Sequence, residues 1–213
     1  MIDMRVKKDL VVLVADKNME YAVKGLLCRD HSFGIRKIMY DCYVHPEHDP
    51  GCLLRSHDFL RPFSKIYSYA LVILDHDGCG HDYKSRESLE LELETRLFEC
   101  GWEGRASAVI IEPELDIWVW SNSPHVESVL GWAGKVPNLK SWLISNGYAN
   151  EKSIKPNRPK EAFEHALRIV SKARSSSIYS QLARIVSTEK CSDSAFSKLK
   201  TVLKDWFPLE NVE

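Results

Sequence analysis

Three apolar runs, each ending directly in an acidic turn, constrain this 213-residue chain more than any other feature. Asp9-Leu-Val-Val-Leu-Val-Ala15 leads into Asp16. Tyr69-Ala-Leu-Val-Ile-Leu74 leads into Asp75-His-Asp77-Gly78. Ala106-Ser-Ala-Val-Ile-Ile111 leads into Glu112-Pro-Glu114-Leu-Asp116. Read as parallel strands of one sheet, the runs open all three acidic turns on a single edge. That is the edge where open α/β sheets bind ligands. Hard oxygen donors gathered there point to Mg²⁺ chemistry.

Between the runs the pattern turns helical, and strand-helix alternation is the α/β signature. Strands are expected at about 9–15, 35–44, 69–75 and 106–112. The first helix should run from Asn18, as N-cap, to Cys28. A loop with Pro46, Pro50 and Gly51 should lead to a helix near His57–Tyr67. The Leu/Glu alternation from Ser85 to Phe98 looks strand-like, but Leu89, Leu93 and Leu97 repeat at helical spacing. A helix there closes a right-handed crossover. Short helices should follow around Leu115–Trp120 and at 125–131 and 138–147.

Lys155-Pro-Asn-Arg-Pro-Lys160 then breaks the pattern. Beyond it all is helical, at about 160–174, 177–189 and 193–206. The expected organisation is an α/β domain over residues 1–150, with a mainly parallel four-stranded sheet flanked by helices. A basic α-helical extension over 151–213 packs on it. Acidic residues outnumber basic ones in the first part and basic outnumber acidic in the second. That asymmetry suits a polyanion held beside a metal site, and equally a solvated helical surface.

Composition is that of an ordinary globular protein, 44% hydrophobic and 28% charged. No apolar run reaches the roughly 20 residues of a membrane span, and Met1-Ile-Asp-Met-Arg lacks a secretory core. The expectation is a cytoplasmic protein without membrane contact. Its six scattered cysteines, with no C-x-x-C pair, are then reduced thiols.

Asp75 and Asp77 lie two apart, so in an extended segment both can face one hydrated Mg²⁺ or Mn²⁺ while His76 faces away. Two solvated loop aspartates fit the same spacing. Asp16 and Glu20 after the first strand, and Glu114 and Asp116 after the fourth, are placed to complete or support such a site. Cys42, His45, His48 and Cys52 fall within eleven residues but match no common zinc module. His48 with Asp49 can instead contact phosphate or orient water. Lys155, Arg158 and Lys160 form a basic cluster suited to DNA or RNA phosphates. Trp118 and Trp120 suit core packing first and base stacking second.

An apolar run ending in Asp-x-Asp resembles the first motif of haloacid-dehalogenase-type phosphatases, although Cys79 stands where that family has Thr or Val. A fuller resemblance is to the TOPRIM fold of topoisomerases, primases and OLD-type nucleases, through Ile73-Leu-Asp-His-Asp-Gly78. Pro113-Glu-Leu-Asp-Ile-Trp118 resembles the Pro-x-Ile-Glu-Ala-Trp motif of a TOPRIM-related, defence-associated bacterial family, with Asp116 at the family Glu. That resemblance implies a Mg²⁺-dependent nuclease of a methylation-associated anti-phage system that works with other defence subunits. Asp16, Glu20, Asp75 and Asp77 would be catalytic, with metal on Asp75, Asp77 and Asp116. Ala15 stands at the family's first Glu, so the resemblance equally implies a non-catalytic nucleic-acid- or protein-binding subunit.

Overall fold

The computed structural model describes residues 7–209 except 122, 154, 190 and 192. The N-terminal segment whose lack of a secretory core was noted above lies outside them.

Four strands form one all-parallel sheet: β1 (Lys8–Val14), β2 (Tyr40–Val44), β3 (Tyr67–Asp75) and β4 (Ala106–Ile111). The order across the sheet is β2-β1-β3-β4. Leu10–Val14, Ala70–Leu74 and Ala108–Ile111 are fully buried. Such strands are covered on both faces, which is what parallel sheets require and what their continuous Val/Ile/Leu runs encode. Each leucine or isoleucine buried this way contributes about 1.5–3 kcal/mol relative to exposure.

The crossovers are α1 (Lys17–Leu27) with α2 (Asp30–Phe33), then α3 (His48–Leu60), then α4 (Arg86–Leu97). With right-handed connections this strand order sends α1 to one face and α3 and α4 to the other. The packing agrees, since α3 lies against α4 while α1 lies against a later helix. Chain direction reverses between β1 and β3, so the crevice past their carboxyl ends is the topological switch point.

Local chemistry moves several boundaries from those expected. Asp16, not Asn18, caps α1, accepting the Met19 N–H at 2.8 Å. The second strand begins only at Tyr40, and Ile35 instead forms an isolated antiparallel bridge with Pro208. The third helix begins at His48, nine residues before His57. Pro50 was read as a breaker, but it sits in the first turn, where its missing N–H costs nothing.

β4 is an edge strand whose outward donors are sealed by side chains. Glu90 of α4 accepts the Ile110 N–H at 3.0 Å, and Glu94 accepts the Ala108 N–H at 2.9 Å and the Ser107 hydroxyl at 2.8 Å. Lys198 neutralises both carboxylates at 3.0 and 2.9 Å. The glutamates that made this segment look strand-like are thus helix residues bonded to a strand.

After β4 come α5 (Asp116–Val119), α6 (Pro124–Leu130), α7 (Leu139–Ser145), α8 (Pro159–Ile169), α9 (Ser176–Ile185) and α10 (Ser194–Trp206). The extension docks on the sheet domain through α9 against α1 and α10 against β4. Gly25 permits the first contact, because a Cβ there would lie 2.7 Å from Ala183 Cβ and 2.9 Å from Ser180 O. Arg29 fastens the end of α9 by donating to the Ala183 and Val186 carbonyls at 2.9 and 2.6 Å. Tyr69 of β3 stacks on Trp206 at 4.6 Å between centroids. Among the described residues, no helix is long and apolar enough to cross a membrane.

Replacing Glu90 by Ala leaves the Ile110 N–H without its acceptor and Lys198 with one carboxylate fewer. The expected loss is about 1–3 kcal/mol of stability in urea unfolding. Glu87→Ala, an exposed site on the same helix, should fall within about 0.5 kcal/mol of wild type.

Candidate metal and phosphate site

The parallel register aligns the acidic turns. Val14 pairs with Ile73, so two residues further on Asp16 stands level with Asp75. Both flank the switch-point crevice. The first turn of α3 adds a third carboxylate, Asp49.

Backbone-to-carboxylate bonds tie these turns together. The Asp75 N–H donates to Asp49 Oδ1 at 2.8 Å, and the Leu115 N–H donates to Asp75 Oδ1 at 2.8 Å. Asp75 thereby links the β2–β3 crossover to the segment after β4. Burial raises the proton affinity of Asp75 well above the usual carboxylate range, and the charges of Asp49, Asp16 and Asp116 push it the same way. The Leu115 N–H opposes the rise without cancelling it. Asp49 is also raised, by burial first and by Asp16, against the bond from Asp75 N–H. The crevice is therefore a set of mutually repelling, partly buried carboxylates.

His48 sits beside this set in the left-handed backbone region, at φ 51. A non-glycine residue there costs about 1–2 kcal/mol. Its Nδ1 lies 3.0 Å from the Ala15 carbonyl, joining the start of α3 to the end of β1. Backbone outliers of this kind gather at functional sites.

The other predicted residues have separate places. Asp77 is exposed on the following turn, its N–H donating to the Pro113 carbonyl at 2.9 Å. Strand geometry ends at Asp75, so the strict alternation expected for Asp75 and Asp77 does not extend to the second aspartate. Gly78 and Gly80 take φ 85 and 84, as a sharp turn requires. His76 is buried, with Nε2 2.9 Å from the Lys84 carbonyl, fixing the far end of that turn. Glu20 is buried one turn into α1, between Lys24 at 2.6 Å and Lys17 at 3.1 Å. Burial opposes its charge, but the bonds from the two lysines outweigh it and hold the carboxyl below the usual range.

Asp116 is 2% exposed and fully engaged. Tyr179 donates its hydroxyl to Oδ1 at 2.8 Å and Arg174 donates to Oδ2 at 2.9 Å. Burial still raises its proton affinity against the pull of Arg174 and Tyr179. Asp116 thus bolts the segment after β4 to the helical extension. Glu114 ion-pairs with Lys160 at 3.5 Å, and its carboxyl is raised by burial and by Asp116 despite Lys160.

The basic cluster is not a bare patch. Lys155 faces Asp193 at 3.5 Å, Arg158 pairs with Glu161 at 2.7 Å, and Lys160 takes Glu114. Trp118 packs edge-on against Phe196 and donates to Asp193 at 3.0 Å, while Trp120 is buried and donates to the Pro159 carbonyl at 3.0 Å. In the cysteine-histidine loop, burial pushes Cys42 up to about 12 and Cys52 well above its ordinary value. His45 is buried, accepts the Glu47 N–H at Nδ1, and is held neutral by burial. These are the properties of packed residues.

Among the described residues, no group of three or more His, Cys, Asp or Glu side chains is arranged to hold a metal ion. The donors that do adjoin are all carboxylates. That chemistry fits a hydrated hard cation taking one or two protein oxygens and the rest from water or phosphate, as Mg²⁺ does. It does not fit a closed N/S zinc cage. Arg174 and Tyr179 are the residues that sequence reasoning left outside the site, while Asp49, paired there with His48 for phosphate or water, is bonded to Asp75 instead. Comparison with known proteins finds no family model, curated protein or solved structure that matches the chain.

Two neighbouring aspartates should respond oppositely to mutation. Asp75→Asn keeps an acceptor for the Leu115 N–H and removes a charge opposed by burial and three aspartates. It should raise Tm at pH 7–8 by about 2–4 °C, the shift that about 1 kcal/mol produces in a chain this size. Because the folded-state pKa of Asp75 is raised, its cost to stability accumulates as pH rises from the unfolded carboxylate range to that pKa and is constant above it. The gain should therefore shrink as pH falls toward the unfolded carboxylate range. Asp116→Ala strands Arg174 and Tyr179 and should cost about 3 kcal/mol or more. Thermal melts from pH 4 to 8 on both variants test this pair.

Proposed function

We propose that this chain is a TOPRIM-like, Mg²⁺- or Mn²⁺-dependent phosphodiester-processing component of a bacterial anti-phage system, acting at the crevice between β1 and β3. The observation that carries the reading is Asp75, a strand-end carboxyl at the switch point that stands level with Asp16 and is bonded through its N–H to Asp49 and through its Oδ1 to the Leu115 N–H, with burial and the neighbouring aspartates opposing its ionisation. A carboxylate set this costly to ionise is relieved by a divalent cation. Asp75 would hold the ion, Asp49 would sit beside it, and the exposed Asp77 would reach it directly or through water. A bound ion would supply charge stabilisation to the transferring phosphoryl group and acidify a coordinated water.

The chain's own residues would do the rest. Asp16 stands level with Asp75 and only half exposed, which suits a general base; geometry comes first in such a role and pKa second. Asp49 and His48 hold the turns that fix Asp75, while Asp116 and Glu114 anchor the opposite wall. Glu20, committed to two lysines, supports α1 rather than the reaction.

A second reading is a non-catalytic TOPRIM-like subunit that binds nucleic acid or protein in a defence complex. Two observations favour it: Ala15 stands at the family's first Glu, and the Asp16 side chain caps α1.

Calorimetric titration with Mg²⁺ and Mn²⁺ should show one site in the wild type, weakened at least tenfold in the Asp75→Asn/Asp77→Asn double variant. Equal binding by the two proteins removes the metal reading. With metal binding established, cleavage assays on single- and double-stranded DNA and RNA separate the readings. Metal-dependent cleavage lost in the double variant supports the enzyme. Nucleic-acid binding that weakens with salt, without cleavage, supports the subunit.

A further inference from the structure

A cavity of about 280 Å³ lies between α1, α5 and α9, separate from the carboxylate crevice. Its walls are apolar: Ala22 and Leu26 from α1, Leu115 and Val119 around α5, Leu182 and Val186 along α9. It reaches the surface near Ser187, which is exposed. An engineered apolar cavity of roughly 150 Å³ takes up benzene, so by proportion this one has room for roughly eleven non-hydrogen atoms.

Polar side chains interrupt the apolar lining, among them Ser121, Ser123, Lys155, Ser187 and Thr188. Lys155 Nζ and Ser121 Oγ are both buried, and neither has a hydrogen-bond partner among the described residues. The nearest charge to Lys155 is Asp193 Oδ2 at 3.5 Å, a charge contact that does not satisfy the ammonium's donors. Asp193 Oδ1 is itself taken by the Trp118 indole N–H and the Phe196 N–H, each at 3.0 Å. Buried donors without acceptors cost free energy and are rare in folded proteins. Two of them facing one apolar cavity constitute a head-group position with an apolar body position beside it.

We infer that this cavity binds a small apolar monocarboxylate, its chain lying along Leu26, Leu115, Leu182 and Val186 and its carboxylate accepting from Lys155 and Ser121. The charge of Lys155 selects an anion over a neutral molecule of the same shape, and the mainly apolar walls along α1 and α9 favour an apolar body. Lys155, which the sequence offered as a nucleic-acid contact, serves this interior site instead. The inference does not depend on the metal reading, since neither residue belongs to the carboxylate crevice.

The test is calorimetric titration of the full chain with decanoate, whose twelve or so non-hydrogen atoms match the roughly estimated capacity, with decanol as neutral counterpart. One saturable decanoate site is expected, with decanol at least tenfold weaker. Lys155→Met should weaken decanoate at least tenfold, the worth of a charged hydrogen bond. Val186→Trp, which fills the lining, should abolish binding. Ser121→Ala provides a milder variant should Lys155→Met fail to fold by circular dichroism, and it should weaken decanoate severalfold. Absence of saturable binding at millimolar decanoate overturns the inference. So does an affinity unchanged in Val186→Trp, or unchanged in whichever head-group variant folds. Mg²⁺ titration of the same variants should be unaltered, so failure here and failure of the metal reading are told apart.

Discussion

Two hydrogen bonds to carboxylates hold the carboxyl-end edge of this sheet together. Where parallel strands end, their last N–H groups lose strand partners and must find acceptors elsewhere. Asp49 takes the Asp75 N–H, and Asp75 takes the Leu115 N–H. The loops after β2, β3 and β4 are thereby fixed relative to one another by acidic side chains. The same arrangement that satisfies the backbone concentrates negative charge at a partly buried edge. Structure and proposed chemistry are not separate uses of these aspartates. Tying the loops is what brings the charges within range of each other.

The helical extension acts on this edge at one remove. Asp116 follows β4 and is locked by Arg174 and Tyr179. Gly25 lets α9 approach α1, and Arg29 caps the end of α9. The extension therefore clamps both α1, whose cap is Asp16, and the segment that carries Glu114 and Asp116. Removal of the clamp would free both walls of the crevice, which makes residues 151–209 part of the scaffold for the site.

The sheet was legible because Val, Ile and Leu runs of strand length, each stopped by an acidic turn, have few other ways to be buried. Leu89, Leu93 and Leu97 marked α4 correctly, although Glu90, Glu92 and Glu94 between them imitated a strand. The start of α3 was hidden because Pro50 reads as a helix stop unless it lies in a first turn. Asn18 and Asp16 are both good caps, and only the end of β1 decided between them. At the site, Asp75 and Asp16 were recognisable as strand-end acids. The partners of Asp116, Lys155 and Lys160 were not, because Arg174, Tyr179, Asp193 and Glu114 are distant in sequence and met only through folding. Charge counts in a sequence cannot distinguish a lysine facing a polyanion from one facing its own chain.

The glutamates of α4 have a consequence beyond stability. A sheet edge ordinarily offers its donors to any extended segment that arrives, whether a peptide, a second copy or a fibril seed. On β4 the Ala108 and Ile110 N–H groups are already spoken for by Glu94 and Glu90. A newcomer would have to evict two anions that Lys198 holds in place. The molecule has in effect substituted side chains for a fifth strand, and its sheet stops growing on that side because there is no vacancy to fill.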